Sequence, residues 1–194
     1  MRATRCYLYV LPAFHEDIVK LGISHDPLAR VRAFARRYYE SFDLARSLLV
    51  AFDSRAEAQA RETRLHRELR EWNAVQPTTV PRRAAGHTEW YRGAYLRLAE
   101  EVETDRGLGH VVHAPAQGWW RDRLCEERDT LYEWCSQHWG AMSLAADPSV
   151  VWRSMVDVLD AWPAMGLSLD DALPPEIAHR YAGHRAAFAP SLTA

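Results

Sequence analysis

Lysine is almost missing from this chain of 194 residues. Of its 24 basic residues, 23 are arginine and one, Lys20, is lysine. Asparagine occurs once, at Asn73. The three cysteines, Cys6, Cys125 and Cys135, form no CxxC pair and leave an odd thiol. That argues against a disulfide framework and suits a reducing cytoplasm. No apolar run approaches the length of a bilayer span, and no signal-peptide pattern opens the chain. A cytoplasmic location without membrane contact is therefore expected. Internal repeats and low-complexity tracts are also lacking.

What is present supports a folded core. Hydrophobic residues make up 48% of the chain, enough for one domain with an appendage or for two small domains. The net charge of −2 hides an asymmetry: residues 1–100 hold 17 Lys+Arg against 12 Asp+Glu, and residues 101–194 hold 7 against 14. The basic half suits a polyanion, while the acidic half reads as a separate module.

Residues 4–11 alternate, with Cys6, Leu8 and Val10 on one face and Tyr7, Tyr9 and Leu11 on the other. Residues 18–24 alternate as well, with Val19, Leu21 and Ile23 opposite Lys20, Gly22 and Ser24. A short polar loop with Pro12 joins the two, which predicts a β-hairpin. Asp26-Pro27 reads as a helix N-cap followed by proline at the first helical position. A third strand is expected over Leu44–Phe52, and a capping box from Ser54 to Glu57 opens a second helix running to Trp72. Prolines and glycine make 75–87 a loop, and a third helix follows near 93–105. The expected division is a domain over 1–106, a linker over 107–118 and a helical domain over 119–194.

On the second helix, Ala58, Leu65, Leu69 and Trp72 make one stripe, and Glu62 falls within it. Glu57, Arg61, Arg64, Glu68 and Glu71 read as solvated charge on the opposite side. A carboxylate on a buried stripe must be paired or bind a metal. Glu62 is thus either an arginine partner or a ligand facing a cleft. In the hairpin, Tyr7 and Tyr9 share one strand face, as do Lys20 and Ser24 on the next. Either these tyrosines simply favour strands and Lys20 snorkels outward, or phenol and ammonium meet above the sheet. Arg30, in the first turn of the first helix, is either solvated or reaches back over the hairpin.

The ordered set Tyr9, VKLGIS at 19–24, Arg30 and the Glu62 helix resembles the GIY-YIG nuclease superfamily over residues 4–100. Leu8-Tyr9 corresponds to the first half-motif and Lys20-Leu21-Gly22 to the second. The strings ETRLHREL and EWY look like the often phage-encoded branch with lysine in the second motif. Three positions depart from the pattern. No glycine precedes Leu8-Tyr9, Lys20 stands for the second tyrosine, and Phe34 stands where many members carry histidine. The resemblance implies an α+β fold, a small three-stranded antiparallel sheet flanked by helices, here followed by an all-α C-terminal region.

It also implies a metal-dependent endonuclease acting on DNA. Tyr9 would be the general base, its pKa lowered by Lys20 or a metal-bound water, with Tyr7 as the alternative. Arg30 would stabilise charge on the nonbridging oxygens. Glu62 would hold one divalent ion, Mg²⁺ or another such as Mn²⁺. His66, one turn on, would assist the metal, bind phosphate or act as a base. No third ligand is placed by spacing for a zinc site built on Glu62 and His66. Asn73 is the counterpart of the family's late asparagine. Glu89-Trp90-Tyr91 is expected to close the core.

Six of the eight tryptophans follow residue 118, and Trp152, Met155, Leu159 and Trp162 fit helical spacing, so these helices form a core. Their acidic balance suits self-association or a protein partner better than DNA. Two alternatives to the nuclease stand: a catalytically inactive nucleic-acid or partner-binding module on the same fold, and an acidic helical interaction protein.

Overall fold

The computed structural model describes residues 5–78, 80 and 89–188. Its contacts divide the chain into two compact units, residues 1–120 and 121–194. The expected 75–87 loop lies largely outside the described residues.

The hairpin forms as its alternation dictates. β1 (Cys6–Pro12) and β2 (Ile18–Ser24) pair antiparallel with Tyr9 opposite Gly22 and Leu11 opposite Lys20. α1 (Pro27–Phe34) begins where the sequence places it: the Asp26 carboxylate accepts from the Ala29 N–H at 3.0 Å, and Pro27 sits at the first position. A short helix α2 (Tyr38–Ser41) follows. β3 (Leu48–Phe52) pairs with β1, four residues shorter than expected because a turn occupies 44–46. Ser54 accepts from the Glu57 N–H and opens α3 (Arg55–Glu68), which tightens into a 3-10 turn at Arg70–Trp72.

The sheet has five strands, not the three expected. β4 (Trp90–Arg92) pairs with β2, and β5 (Val111–His113) pairs with β3, giving the order β4-β2-β1-β3-β5. Each added strand has only three residues, too few for alternation to reveal. β5 lies within the stretch expected as a linker. The same stretch is tied to the sheet by the Ala116 N–H, which donates to the Ser47 carbonyl at 2.8 Å. Trp120 then donates its indole N–H to Ser47 Oγ at 2.7 Å.

One sheet face, with Leu8, Val10, Leu21, Val50 and Tyr91, packs against Ala58, Leu65 and Leu69 of α3. Leu98 and Val102 of α4 (Tyr95–Gly107) complete that core. The period of two sends Tyr9, Gly22 and Lys20 to the opposite face, where Phe34 and Phe42 pack with Tyr9 and Trp90.

The expected pattern along residues 55–72 fails at two positions. Arg61 is 7% exposed, because α4 covers that flank. Its Nε lies 2.9 Å from Asp105 and its Nη2 3.0 Å from Glu101. Trp72, expected on the buried stripe, is 42% exposed because the 3-10 turn rotates it out of helical phase.

In the C-terminal unit the helices are α5 (Gln117–Glu126), which begins in the first unit, α6 (Arg128–Met142), α7 (Pro148–Leu159), α8 (Ala161–Ala164) and α9 (Pro175–Phe188). Trp152, Met155, Leu159 and Trp162 are buried as their spacing predicts, with Ile177 and Tyr181. No described helix is long and apolar enough to cross a membrane.

Replacing Arg61 with alanine leaves the buried Asp105 carboxylate without its partner. Breaking a buried pair of this kind costs about 3–5 kcal/mol. Urea denaturation followed by circular dichroism should show that loss; a loss below about 1 kcal/mol, typical of exposed pairs, would mean the pair is effectively solvated.

Candidate functional site

β4 covers β2 only from Ile18 to Lys20. Next to that point, groups from the sheet and from α3 come together. Glu89, immediately before β4, is the meeting point. Its carbonyl accepts from the Leu21 N–H at 3.2 Å, and its carboxylate lies 2.8 Å from Lys20 Nζ.

Lys20 is fully buried, at 0% exposure. Phe34 and Trp90 stand beside its ammonium, with ring centroids at 5.5 and 5.2 Å. Burial pushes the Lys20 ammonium below its ordinary pKa, and the Glu89 carboxylate opposes that shift. The snorkelling alternative is thereby removed.

Glu62 is 7% exposed, as its place on the apolar stripe required. Its partner is not an arginine: Gln59 Nε2 donates to Glu62 Oε2 at 2.6 Å. One turn on, His66 Nε2 stands 3.6 Å from Glu62 Oε1, beyond hydrogen-bond reach. That nitrogen is buried and makes no hydrogen bond. The other ring nitrogen, Nδ1, meets the Tyr91 hydroxyl at 2.5 Å. One ligand atom from each of Glu62, His66 and Glu89 lies within 4.8 Å of the others.

The chemistry of this donor set fits a divalent cation. Two carboxylates supply oxygen, and an otherwise partnerless imidazole nitrogen faces them. Glu62, His66 and Glu89 are the residues that can hold it.

The Arg30 guanidinium lies 4.8 Å over the Phe34 ring, close enough to the Tyr9 phenol to act on its ionisation. Burial raises the Tyr9 pKa to about 12, with Arg30 pulling the other way. The expectation is a phenol lowered by Lys20 or by a metal-bound water. Lys20 is instead committed to Glu89, and burial outweighs the cation that does reach Tyr9. Burial likewise pushes Tyr91 up to about 12, helped by Glu89 and Glu62.

Tyr9, Lys20, Arg30, Glu62 and His66 are therefore drawn together around Glu89. Tyr7 is not among them; its ring packs edge-on against Trp119 at 5.3 Å. Asn73 is exposed and bridges Tyr91 through its backbone. Sequence reasoning assigned Glu89 and Tyr91 to core closure. Trp90 and Tyr91 do fill the core. The missed signal was Lys20 itself, since a buried ammonium demands an anion and EWY supplies a carboxylate beside two aromatics.

Gly22 explains its own place in the motif. A Cβ at position 22 would lie 2.3 Å from the Tyr9 hydroxyl oxygen, so only glycine lets the phenol lie across β2. Gly22→Ala should destabilise by about 1–3 kcal/mol through overpacking. In a Tyr9→Ala background the extra cost should fall below about 0.5 kcal/mol in thermal melts, whereas additive losses would show that the two positions do not meet.

No curated protein and no solved structure matches the chain. The family model of the T5orf172 domain matches residues 6–105, just over half of the chain; the protein belongs to that family, a domain found in phage-associated nuclease-like proteins.

Proposed function

We propose that residues 6–105 form a GIY-YIG-type, metal-dependent endonuclease that hydrolyses DNA phosphodiester bonds. The observation that carries this reading is the convergence of Lys20, Glu62 and His66 on Glu89 beside the start of β4, with Arg30 near Tyr9. The net positive charge of residues 1–100 suits a polyanionic substrate.

A divalent ion held by Glu62, His66 and Glu89, Mg²⁺ or Mn²⁺, would supply Lewis-acid polarisation of a phosphate oxygen. Arg30 places a fixed cation where charge builds on the nonbridging oxygens. Tyr9, beside it, accepts the proton of the attacking water. With its pKa at about 12, roughly one phenol in ten thousand is ionised at pH 8. The small phenolate fraction grows tenfold for each pH unit, and the rate grows with it.

One observation favours the inactive binding module instead. Lys20 is closed off against Glu89 and reaches no solvent in this state. That reading predicts salt-sensitive DNA binding without cleavage.

Nicking of supercoiled plasmid tests the first reading. Glu62→Ala and Arg30→Ala should each lower the rate about 100- to 1000-fold. Unaltered cleavage in both variants would exclude this site. A second measurement addresses Tyr9: log rate should climb with a slope near one between pH 7 and 10, and Tyr9→Phe should abolish the slope. A flat wild-type profile would remove Tyr9 as the base.

A further inference from the structure

The nuclease reading requires only one carboxylate and a hard cation. The donor set goes further. A lone carboxylate supplemented by water suits Mg²⁺, which favours all-oxygen surroundings. An imidazole nitrogen shifts preference toward first-row transition ions, whose affinity rises from Mn²⁺ to a maximum at Cu²⁺ and falls again at Zn²⁺. Here the nitrogen is in place, and among the described residues it makes no hydrogen bond.

His66 Nε2 is the informative atom. It is buried, makes no hydrogen bond, and sits 3.6 Å from Glu62 Oε1. Two donors each about 2.1 Å from a tetrahedral ion lie about 3.4 Å apart, so this separation suits a shared cation better than direct contact. Nδ1 is already occupied by the Tyr91 hydroxyl. If Nδ1 carries the proton and donates it to the Tyr91 oxygen, the Nε2 lone pair is directed at the carboxylates. Metal-bound histidines are held in this way by an oxygen acceptor on the far ring nitrogen. The opposite tautomer would leave a buried N–H without an acceptor, which is costly.

Glu89 completes the set. One of its oxygens accepts from Lys20 at 2.8 Å, which fixes the carboxylate plane and leaves the second oxygen for a cation. Three ligands come from two places in the chain: Glu62 and His66 stand one turn apart on α3, and Glu89 stands immediately before β4. The helix holds two of them, and Glu89 is held by its backbone bond to Leu21 and by Lys20, which favours a defined geometry over a loose acidic patch.

We propose that Glu62, His66 and Glu89 form a three-ligand nitrogen–oxygen site selective for a divalent transition ion over Mg²⁺, with Tyr91 as the residue that positions His66. The inference rests on the nuclease reading for the role of the site, but its test is a binding measurement that needs no substrate.

The full-length chain, stripped of metal with chelator, is titrated with MnCl₂, ZnCl₂ and MgCl₂ by calorimetry. Mn²⁺ binding is followed independently through loss of the free-ion electron paramagnetic resonance signal. One equivalent of Mn²⁺ or Zn²⁺ should bind at least about 100-fold more tightly than Mg²⁺. His66→Ala should erase that preference while residual Mg²⁺ binding persists. Tyr91→Phe keeps the ring in the core and removes the acceptor, so Mn²⁺ affinity should fall about 10- to 100-fold. Circular dichroism melts check that each variant is folded. Equal affinity for Mg²⁺ and Mn²⁺ in the wild type, or unchanged selectivity in folded His66→Ala, overturns the proposal. Plasmid cleavage with Mg²⁺ alongside absent selectivity would sink this inference and keep the nuclease. Selective binding without cleavage of any DNA would do the reverse.

Discussion

The buried ion pair between Lys20 and Glu89 is the constraint from which the site follows. An ammonium with no solvent contact costs several kcal/mol unless an anion meets it. Glu89 meets it, and in doing so holds the start of β4 against Leu21. The same carboxylate then faces Glu62 and His66 across the end of the sheet. The pair also accounts for the one lysine in a chain otherwise built with arginine. A compact point charge fits between Phe34, Trp90 and Glu89, whereas a planar guanidinium needs more room and more acceptors.

Much of the scaffold was legible because its signals are local. The hairpin came from alternation, α1 from Asp26-Pro27, and α3 from Ser54 and Glu57. Glu62 stood out because a carboxylate interrupts an apolar stripe, and it is indeed buried. The half-motifs around Tyr9 and Gly22 are explained by one contact, a phenol lying where a side chain would otherwise be.

The rest depended on long-range pairing that spacing cannot encode. β4 and β5 are too short to alternate, and they exist because β2 and β3 had free edges to offer. Arg61 reads as a surface charge until α4 brings Asp105 and Glu101 to it across some forty positions of chain. Glu89 was passed over as a neighbour of core aromatics. Burial dominates the Tyr9 phenol, which the sequence does not show, because it reveals which charges exist, not which are nearest or how dry the pocket is. Tyr7 shares the alternation of Tyr9 but packs on Trp119, whose position depends on the chain rejoining the sheet through β5 and Ala116.

The same order of strands has a colloidal consequence. The two outermost strands, β4 and β5, are three residues each, while the seven-residue strands of the hairpin lie inside. A sheet bordered this way offers a neighbouring molecule only a brief run of unpaired amides on which to add a strand. Resistance to fibrillar stacking in a crowded, concentrated setting is thus built into the topology, and it would weaken in any truncation that strips β5 and bares the full length of β3.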